Sequence, residues 1–267
     1  MNILKNKVHQ TWQNRFFIIT SIKMDFKSRF SRSLFGSVWA ILNPLVMVAI
    51  YAFILSQIMK AKLPGIESAY AYPIYLISGI IGWTLFTEVI SRGLMIFIEN
   101  GHYLKKLPFP RSNLIFVLLG ASLINSLILI LAAVGIFLGL GFVPNSSLLW
   151  LVPLQILTAL FALGIGIVCG VLNVFLRDVG QIVPIILQLL FWLTPIVYTI
   201  NIIPEDLQYL LKLNPAFNIV DMYHNILAFK IPPSLEGLGE LAIMAIVSNL
   251  IGLLLYQKAY KDIVEEL

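Results

Sequence analysis

The sequence predicts an all-α, polytopic membrane protein: six transmembrane helices, an N-terminal amphipathic interfacial helix, and short re-entrant helices between the fifth and sixth spans. Three observations carry that expectation. Of 267 residues, 59% are hydrophobic and 12% charged, against about 25% charged in an ordinary soluble domain, so a soluble fold could not cover its apolar side chains and a disordered chain is excluded. The charges are spaced so that the runs between them reach membrane length, roughly 20 mostly apolar residues for about 30 Å of hydrocarbon. The lysines and arginines collect on alternate loops, the bias that sets orientation. A single cysteine, Cys169, cannot form an intrachain disulfide, and no Cys/His cluster has zinc-ligand spacing.

Residues 1–32 have scattered charges and no continuous apolar core, so they do not read as a cleavable signal peptide. Leu4, Val8, Trp12, Phe16, Ile19, Ile22, Phe26 and Phe30 recur at steps of three or four, with Lys5, Lys7, Arg15, Lys23, Lys27 and Arg29 mainly off that line. This is the pattern of a helix in the cytoplasmic interface, its basic residues near anionic headgroups. A helix covering a soluble partner has the same pattern.

Residues 33–258 form the predicted six-span domain. The charge-free runs are Ser33–Met59 with 27 residues and Ser68–Thr87 with 20, one span each. Ser112–Leu176 has 65, two spans joined at the turn-forming Pro144-Asn145-Ser146-Ser147. The 26 residues between Asp178 and Glu205, and the 17 between Glu240 and Lys258, hold the last two. With that count, one face carries 13 basic residues: seven before residue 33, then Lys105, Lys106, Arg111, Arg177, Lys258 and Lys261. The other face carries four, Lys60, Lys62, Lys212 and Lys230. Both termini, including a tail at 259–267, are expected to be cytoplasmic. The net charge of +5 is thereby a topology signal and does not argue for nucleic-acid binding.

Residues 201–240 fall on the external face but are too apolar for a simple solvated loop. Asp206–Leu213 and Pro215–Phe229 are bounded by prolines and are too short to cross. A pair of helices that dips into the outer leaflet and returns, gating an external mouth, is one reading; an amphipathic loop resting on the bilayer is the other.

Within the spans, Glu88 and Arg92 stand four residues apart on one helical face. They read either as part of a translocation path or as an arginine snorkelling to the interface with a compensating acid. Gly135-xxx-Gly139 and Gly166-xxx-Gly170 offer close helix packing. Pro44, Pro73, Pro184 and Pro195 should bend or cap their helices. No G-x-x-x-x-G-K-[ST] phosphate loop, G-x-S-x-G elbow or H-E-x-x-H motif occurs, and His9, His102 and His224 lie on separate segments. An intramembrane enzyme is therefore weakly supported. An ion-driven transporter would bury more ionisable groups and show inverted repeats.

Several segments resemble one family in order. Lys27–Leu45, with Arg29, Arg32, Ser33, Gly36, Trp39 and Pro44, is similar to the basic approach to the first span in membrane subunits of polysaccharide ABC exporters, in particular O-antigen exporter permeases of the Wzm-like type. GIIGWTLF at Gly79–Phe86, NGHYLKKLPFPR at Asn100–Arg111, the Arg177-Asp178 turn, TPIVY at Thr194–Tyr198 and Asn214-Pro215 match further pieces of the family pattern. Phe30, Phe35 and Leu85 are mild departures. The resemblance implies a homodimeric permease that exports a lipid-linked polysaccharide. It also implies two copies of a separate ABC ATPase, which would hold the ATP and Mg; this chain is expected to bind no cofactor or metal and to have no catalytic residue.

The resemblance further implies residue roles. Coupling to the ATPase falls to a loop at about 99–111, with His102, Tyr103, Lys105, Lys106, Pro108 and Arg111, and to Arg177 and Asp178. A channel is lined mainly by the first and fifth spans, with Tyr51, Trp192 and Tyr198. The entrance helix offers Trp12, Arg15, Arg29 and Arg32. The external gate spans about 206–229, with Asp221 and His224. Capsule, teichoic acid, drug and lipid exporter permeases share these expectations.

Overall fold

The computed structural model describes residues 15–30, 71–102, 112–139 and 141–267, with isolated positions at 38, 39, 42, 46 and 50. The first predicted span, residues 33–59, and most of the coupling loop lie outside the described residues. Every regular element described is helical. In chain order these are α1 (Arg15–Phe30), α2 (Ala71–Glu99), α3 (Ser112–Gly139), a 3-10 turn (Ser146–Trp150) running into α4 (Leu151–Phe175), α5 (Val179–Leu193), a 3-10 turn (Ile200–Ile202), α6 (Glu205–Lys212), α7 (Pro215–Leu227) and α8 (Leu235–Glu266).

Among the described residues four helices are long and apolar enough to cross a membrane: α2, α3, α4 with its leading turn, and α8. Two overrun their charge-free runs. Helix α2 continues past Thr87 through Glu88 and Arg92 to Glu99, and α8 passes Lys258 unbroken to Glu266. Charge marks where a span can sit in hydrocarbon, but a helix with all its backbone bonds internal has no reason to stop there.

The fifth predicted span shows the opposite difference. Helix α5 has 15 residues, about 22 Å at 1.5 Å per residue, and ends well before Glu205. Pro195 lacks an N–H and drives the residue before it to extended backbone; Thr194 has φ −105°, ψ 132°. The carbonyls beyond the break are taken up by α2. The Tyr72 hydroxyl donates to the Val197 carbonyl, and the Tyr75 hydroxyl lies 3.1 Å from the carbonyls of both Pro195 and Tyr198.

Helices α2 and α4 form the centre, and α4 packs most extensively on α8 and α2. Small residues allow the approach. A Cβ on Gly93 would lie 2.7 Å from the Gly166 Cα, and one on Gly164 would meet the Ser248 backbone at 2.4 Å. Polar side chains then bond across the seams: Asn173 Nδ2 to the Leu94 carbonyl at 3.1 Å, Asn249 Nδ2 to the Leu160 carbonyl at 2.6 Å, and Gln155 Nε2 to Ser126 Oγ at 2.8 Å. This is the combination that associates helices where the hydrophobic effect cannot. Gly135 and Gly139 have nothing within 4 Å, so of the two G-xxx-G pairs only Gly166/Gly170 makes a helix contact among the described residues. Helix α3 turns another stripe inward, with Leu118, Ala121, Ser122, Leu129, Ala133 and Phe137 buried.

The bundle has two distinct ends. Asn173 beside Leu94 and Leu267 beside Gly101 place the 176–178 turn, the end of α2 and the C-terminus together. At the other end the α3–α4 hairpin meets the α7–α8 connection. Asn145 Nδ2 and Ser147 Oγ donate to the Lys230 carbonyl at 2.8 and 3.0 Å, and Lys230 Nζ sits 3.8 Å from the centre of the Phe142 ring, a cation–π contact. These bonds hold Lys230 at φ 58°, a conformation unusual for a side chain with a Cβ.

Candidate functional site

At the hairpin end, residues 195–201, α7 and the start of α2 line a half-open cavity of about 200 Å³. Asn214 starts α7: its side-chain oxygen accepts the Ala216 N–H at 3.0 Å, its amide nitrogen donates to Thr194 Oγ1 at 3.0 Å, and Pro215 occupies the first turn. The Asn-Pro and Thr-Pro pairs noted in the sequence therefore meet, tying the end of α5 to the start of α7. Helix α7 is then buried against α2 over two glycines. A Cβ on Gly82 would lie 2.5 Å from the Tyr223 ring, and one on Gly79 would lie 2.5 Å from His224 Nε2.

His224 stacks on Tyr75 with ring centroids 3.6 Å apart, and Phe229 meets the other side of this aromatic group edge-on to Tyr75 at 6.1 Å. Asp221, one turn before His224, is exposed at the cavity and accepts from Asn225 Nδ2 at 3.0 Å. Asp221 and His224 thus line a single cavity. Tyr75, absent from the sequence reading, connects their helix to α2. Its signal was the run of two tyrosines at 72 and 75 on one face near the start of a span.

Trp192 and Tyr198 also come together, the Tyr198 hydroxyl donating to the Trp192 carbonyl at 2.9 Å. Burial raises the Tyr198 pKa, which keeps that hydroxyl a donor. Trp192 is 54% exposed and ends an outward apolar face on α5 that includes Ile182, Ile185, Ile186 and Leu189.

A second polar constellation lies between α1, α2 and α3. Arg92 bonds Asp25 of α1 at 3.1 Å and lies 3.7 Å from Glu88; Glu88 in turn accepts from Asn125 Nδ2 at 2.7 Å and Ser122 Oγ at 3.4 Å. The Glu88–Arg92 pair is therefore part of a network reaching α1, and more than a self-compensated snorkelling arginine. Asp25, the acidic member from α1, was not singled out from the sequence, although it is the sole acidic residue before Arg32. Of the predicted apolar stripe on α1, Ile22 reaches Gly120 of α3, while Phe16 and Ile19 are exposed. Arg15 is exposed with its guanidinium 4.7 Å from the Phe16 ring centre.

At the C-terminal end, His102, Arg177 and Asp178 are exposed, with the Asp178 carbonyl accepting the N–H groups of Gln181 and Ile182 in α5. Trp12, Arg32, Tyr51, Tyr103, Lys105, Lys106, Pro108 and Arg111 lie outside the described residues, as does the side chain of Arg29. Among the described residues no group of His, Cys, Asp and Glu could hold a metal ion.

Comparison with known proteins places this architecture. Residues 17–227 match the ABC-2 type transporter family. The chain is 29% identical to the O-antigen export system permease protein RfbA of Klebsiella pneumoniae, over 90% of this chain and 91% of that one. It is 25% identical to the protein of the same name from Myxococcus xanthus over equal shares. It is also 24% identical to the polysialic acid transport protein KpsM of Escherichia coli, over 87% and 89%. With a family match that runs from α1 to the end of α7, this chain belongs to the ABC-2 type transporter family and is a multi-pass membrane transport subunit.

Proposed function

We propose that this chain is the permease of an ATP-driven exporter that moves an undecaprenyl-linked polysaccharide, an O-antigen, across the inner membrane. Two copies form the conduit, and two copies of a cytoplasmic ABC ATPase supply the energy. The observation that carries this reading is the similarity to O-antigen export permeases along nine-tenths of the chain. Capsular polysaccharide export is the second reading, favoured by the similarity to KpsM at nearly the same coverage.

The geometry supports the division of labour. The end holding His102, Arg177, Asp178 and the C-terminus is the cytoplasmic, ATPase-facing end, in keeping with the excess of Lys and Arg on the loops that reach it. The opposite end, where α6 and α7 return without crossing, is the external gate. Helix α7 is its fixed half, seated on Gly79 and Gly82; α6, which packs on α7, is the half that moves. The outward apolar face of α5, ending at Trp192 and Tyr198, lines the conduit formed with the second copy. The basic, apolar outer side of α1 lies on the cytoplasmic leaflet.

Reconstitution of the full chain with its ATPase in proteoliposomes tests this. Lipid-linked polymer should stimulate ATP hydrolysis and appear on the far side of the membrane only with ATP present. Polymer movement without an ATPase, or ATPase activity indifferent to polymer, would sink the proposal.

A further inference from the structure

His224 is a buried titratable group in a place that favours its uncharged form. Its ring is 2% exposed and lies on Tyr75 with centroids 3.6 Å and planes 19° apart. It sits so close to α2 that a Cβ on Gly79 would fall 2.5 Å from Nε2, and Nε2 has no hydrogen-bond partner among the described residues. A neutral imidazole carries one N–H, whereas an imidazolium carries two donors and a charge, and burying that charge without a partner costs free energy. Burial pushes the His224 pKa down to about 3, against a smaller opposing pull from the Tyr75 backbone. The other titratable groups around the stack are Tyr72 of α2, Tyr198 and Asp221, with Tyr223 beside it on α7. Asp221 accepts from Asn225 and rides on the same helix as His224, so its attraction for an imidazolium is present whether or not α7 is seated. Of the charges on neighbouring segments, Lys230 lies over the Phe142 ring and Glu240 of α8 bonds Asn218.

We propose that His224 is an acid-sensitive latch: its neutral ring lets α7 seat on α2, and its protonation releases the helix. The groove over Gly79 and Gly82 is shaped by the rings of Tyr223 and His224, so seated and released are distinct states, the bistable element that a histidine switch requires. The cavity lined by Tyr75 and His224 is half-open, and separation of the two rings therefore exposes the imidazole to water. A solvated histidine titrates at about 6.5. The seated form binds fewer protons than the released one, so acid favours release. The seat keeps its full strength above about pH 6.5 and loses it progressively below, until the seated ring itself protonates at about 3. Ordinary carboxyls titrate at about 4 and phenols at about 10, which leaves histidine as the residue type that changes charge between the two. That the acid arrives from the external side rests on the proposed orientation; the latch itself does not.

The test is hydrogen exchange of the full chain in lipid nanodiscs, read by mass spectrometry at about pH 7.5 and 5.5 and corrected for the intrinsic pH dependence of amide exchange. The opening constant of α7 should rise about tenfold on acidification, the ratio set by a group that titrates at 6.5 only when released, while peptides from α4 stay unchanged. His224→Phe keeps a ring on Tyr75, and His224→Gln keeps a polar side chain; neither titrates, and in each the rise should fall below about twofold. Where His224→Phe does not yield folded protein, His224→Gln carries the comparison. No rise in the unaltered chain, an equal rise in a folded variant, or an equal rise across α4 would overturn the proposal. The measurement needs neither ATPase nor polymer, so a missing pH response removes the latch alone, and failed export by a chain that shows the response removes the export reading alone.

Discussion

Arg92 shows how a charge is accommodated inside a mostly apolar bundle. Its guanidinium is 17% exposed and faces two acids, Asp25 at 3.1 Å and Glu88 at 3.7 Å, and removing the cation leaves both without it. Breaking a buried pair from one side costs about 3–5 kcal/mol, whereas losing a single hydrogen bond to a charged group costs about 1.5–3 kcal/mol. Arg92→Gln should therefore lower the thermal unfolding temperature more than Asp25→Asn does. In a double-mutant cycle the two losses should be non-additive; simple additivity would show that α1 is not held through this contact. Glycines give a second residue-scale contrast. Gly93→Ala places a methyl 2.7 Å from the Gly166 backbone and should reduce the yield of folded permease, while Gly135→Ala, within α3 and meeting nothing within 4 Å among the described residues, should stabilise by about 0.5–1 kcal/mol. Both are read from detergent-solubilised thermal melts, and equal tolerance at the two sites would remove the helix-seam role of Gly93.

Among the elements, α5 and α7 depend on each other. Helix α5 stops at Leu193 because Pro195 cannot continue it, and its exposed carbonyl run is tied to α2 through two tyrosine hydroxyls. Tyr72→Phe and Tyr75→Phe keep the rings and delete only those donors, so each should destabilise by about 1–3 kcal/mol, the cost of stranding a buried acceptor. Hydrogen exchange should localise the loss to residues 195–201 and α7, and a loss spread evenly over the bundle would deny the tyrosines that anchoring role. The return of the chain through α6 and α7 is likewise local chemistry. Asn214 caps α7 and binds Thr194, and the glycines at 79 and 82 provide the groove into which Tyr223 and His224 fit. Periodicity could not choose between a dipping pair and a surface loop because both are amphipathic. What the fold adds is the seat of α7 on two glycines of a different helix.

For the whole molecule, the segregation of contacts into two ends orders the functional reading. Turn 176–178, the end of α2 and the C-terminus share one end, and the basic residues 105, 106 and 111 follow α2 in the sequence. Reversing charge with Lys105→Glu and Lys106→Glu should abolish polymer export by the reconstituted complex while leaving membrane insertion intact, measured as transported polymer per inserted permease; unchanged export would remove the loop from coupling. Much of this organisation was legible in the sequence. Charge spacing located α2, α3, α4 and α8, since 20 apolar residues have one low-energy place to go, and proline and Asn-Pro signals located the breaks around α5, α6 and α7. The sequence also carried the family resemblance in its local motifs. What it could not carry was proximity between segments far apart in the chain. That Asp25 reaches Arg92, that Tyr75 stacks on His224, and that Gly166 lies in a helix seam were settled by how the helices rotate and cross. The membrane fixes which residues must be helical and buried from water, whereas close packing alone fixes which of them touch.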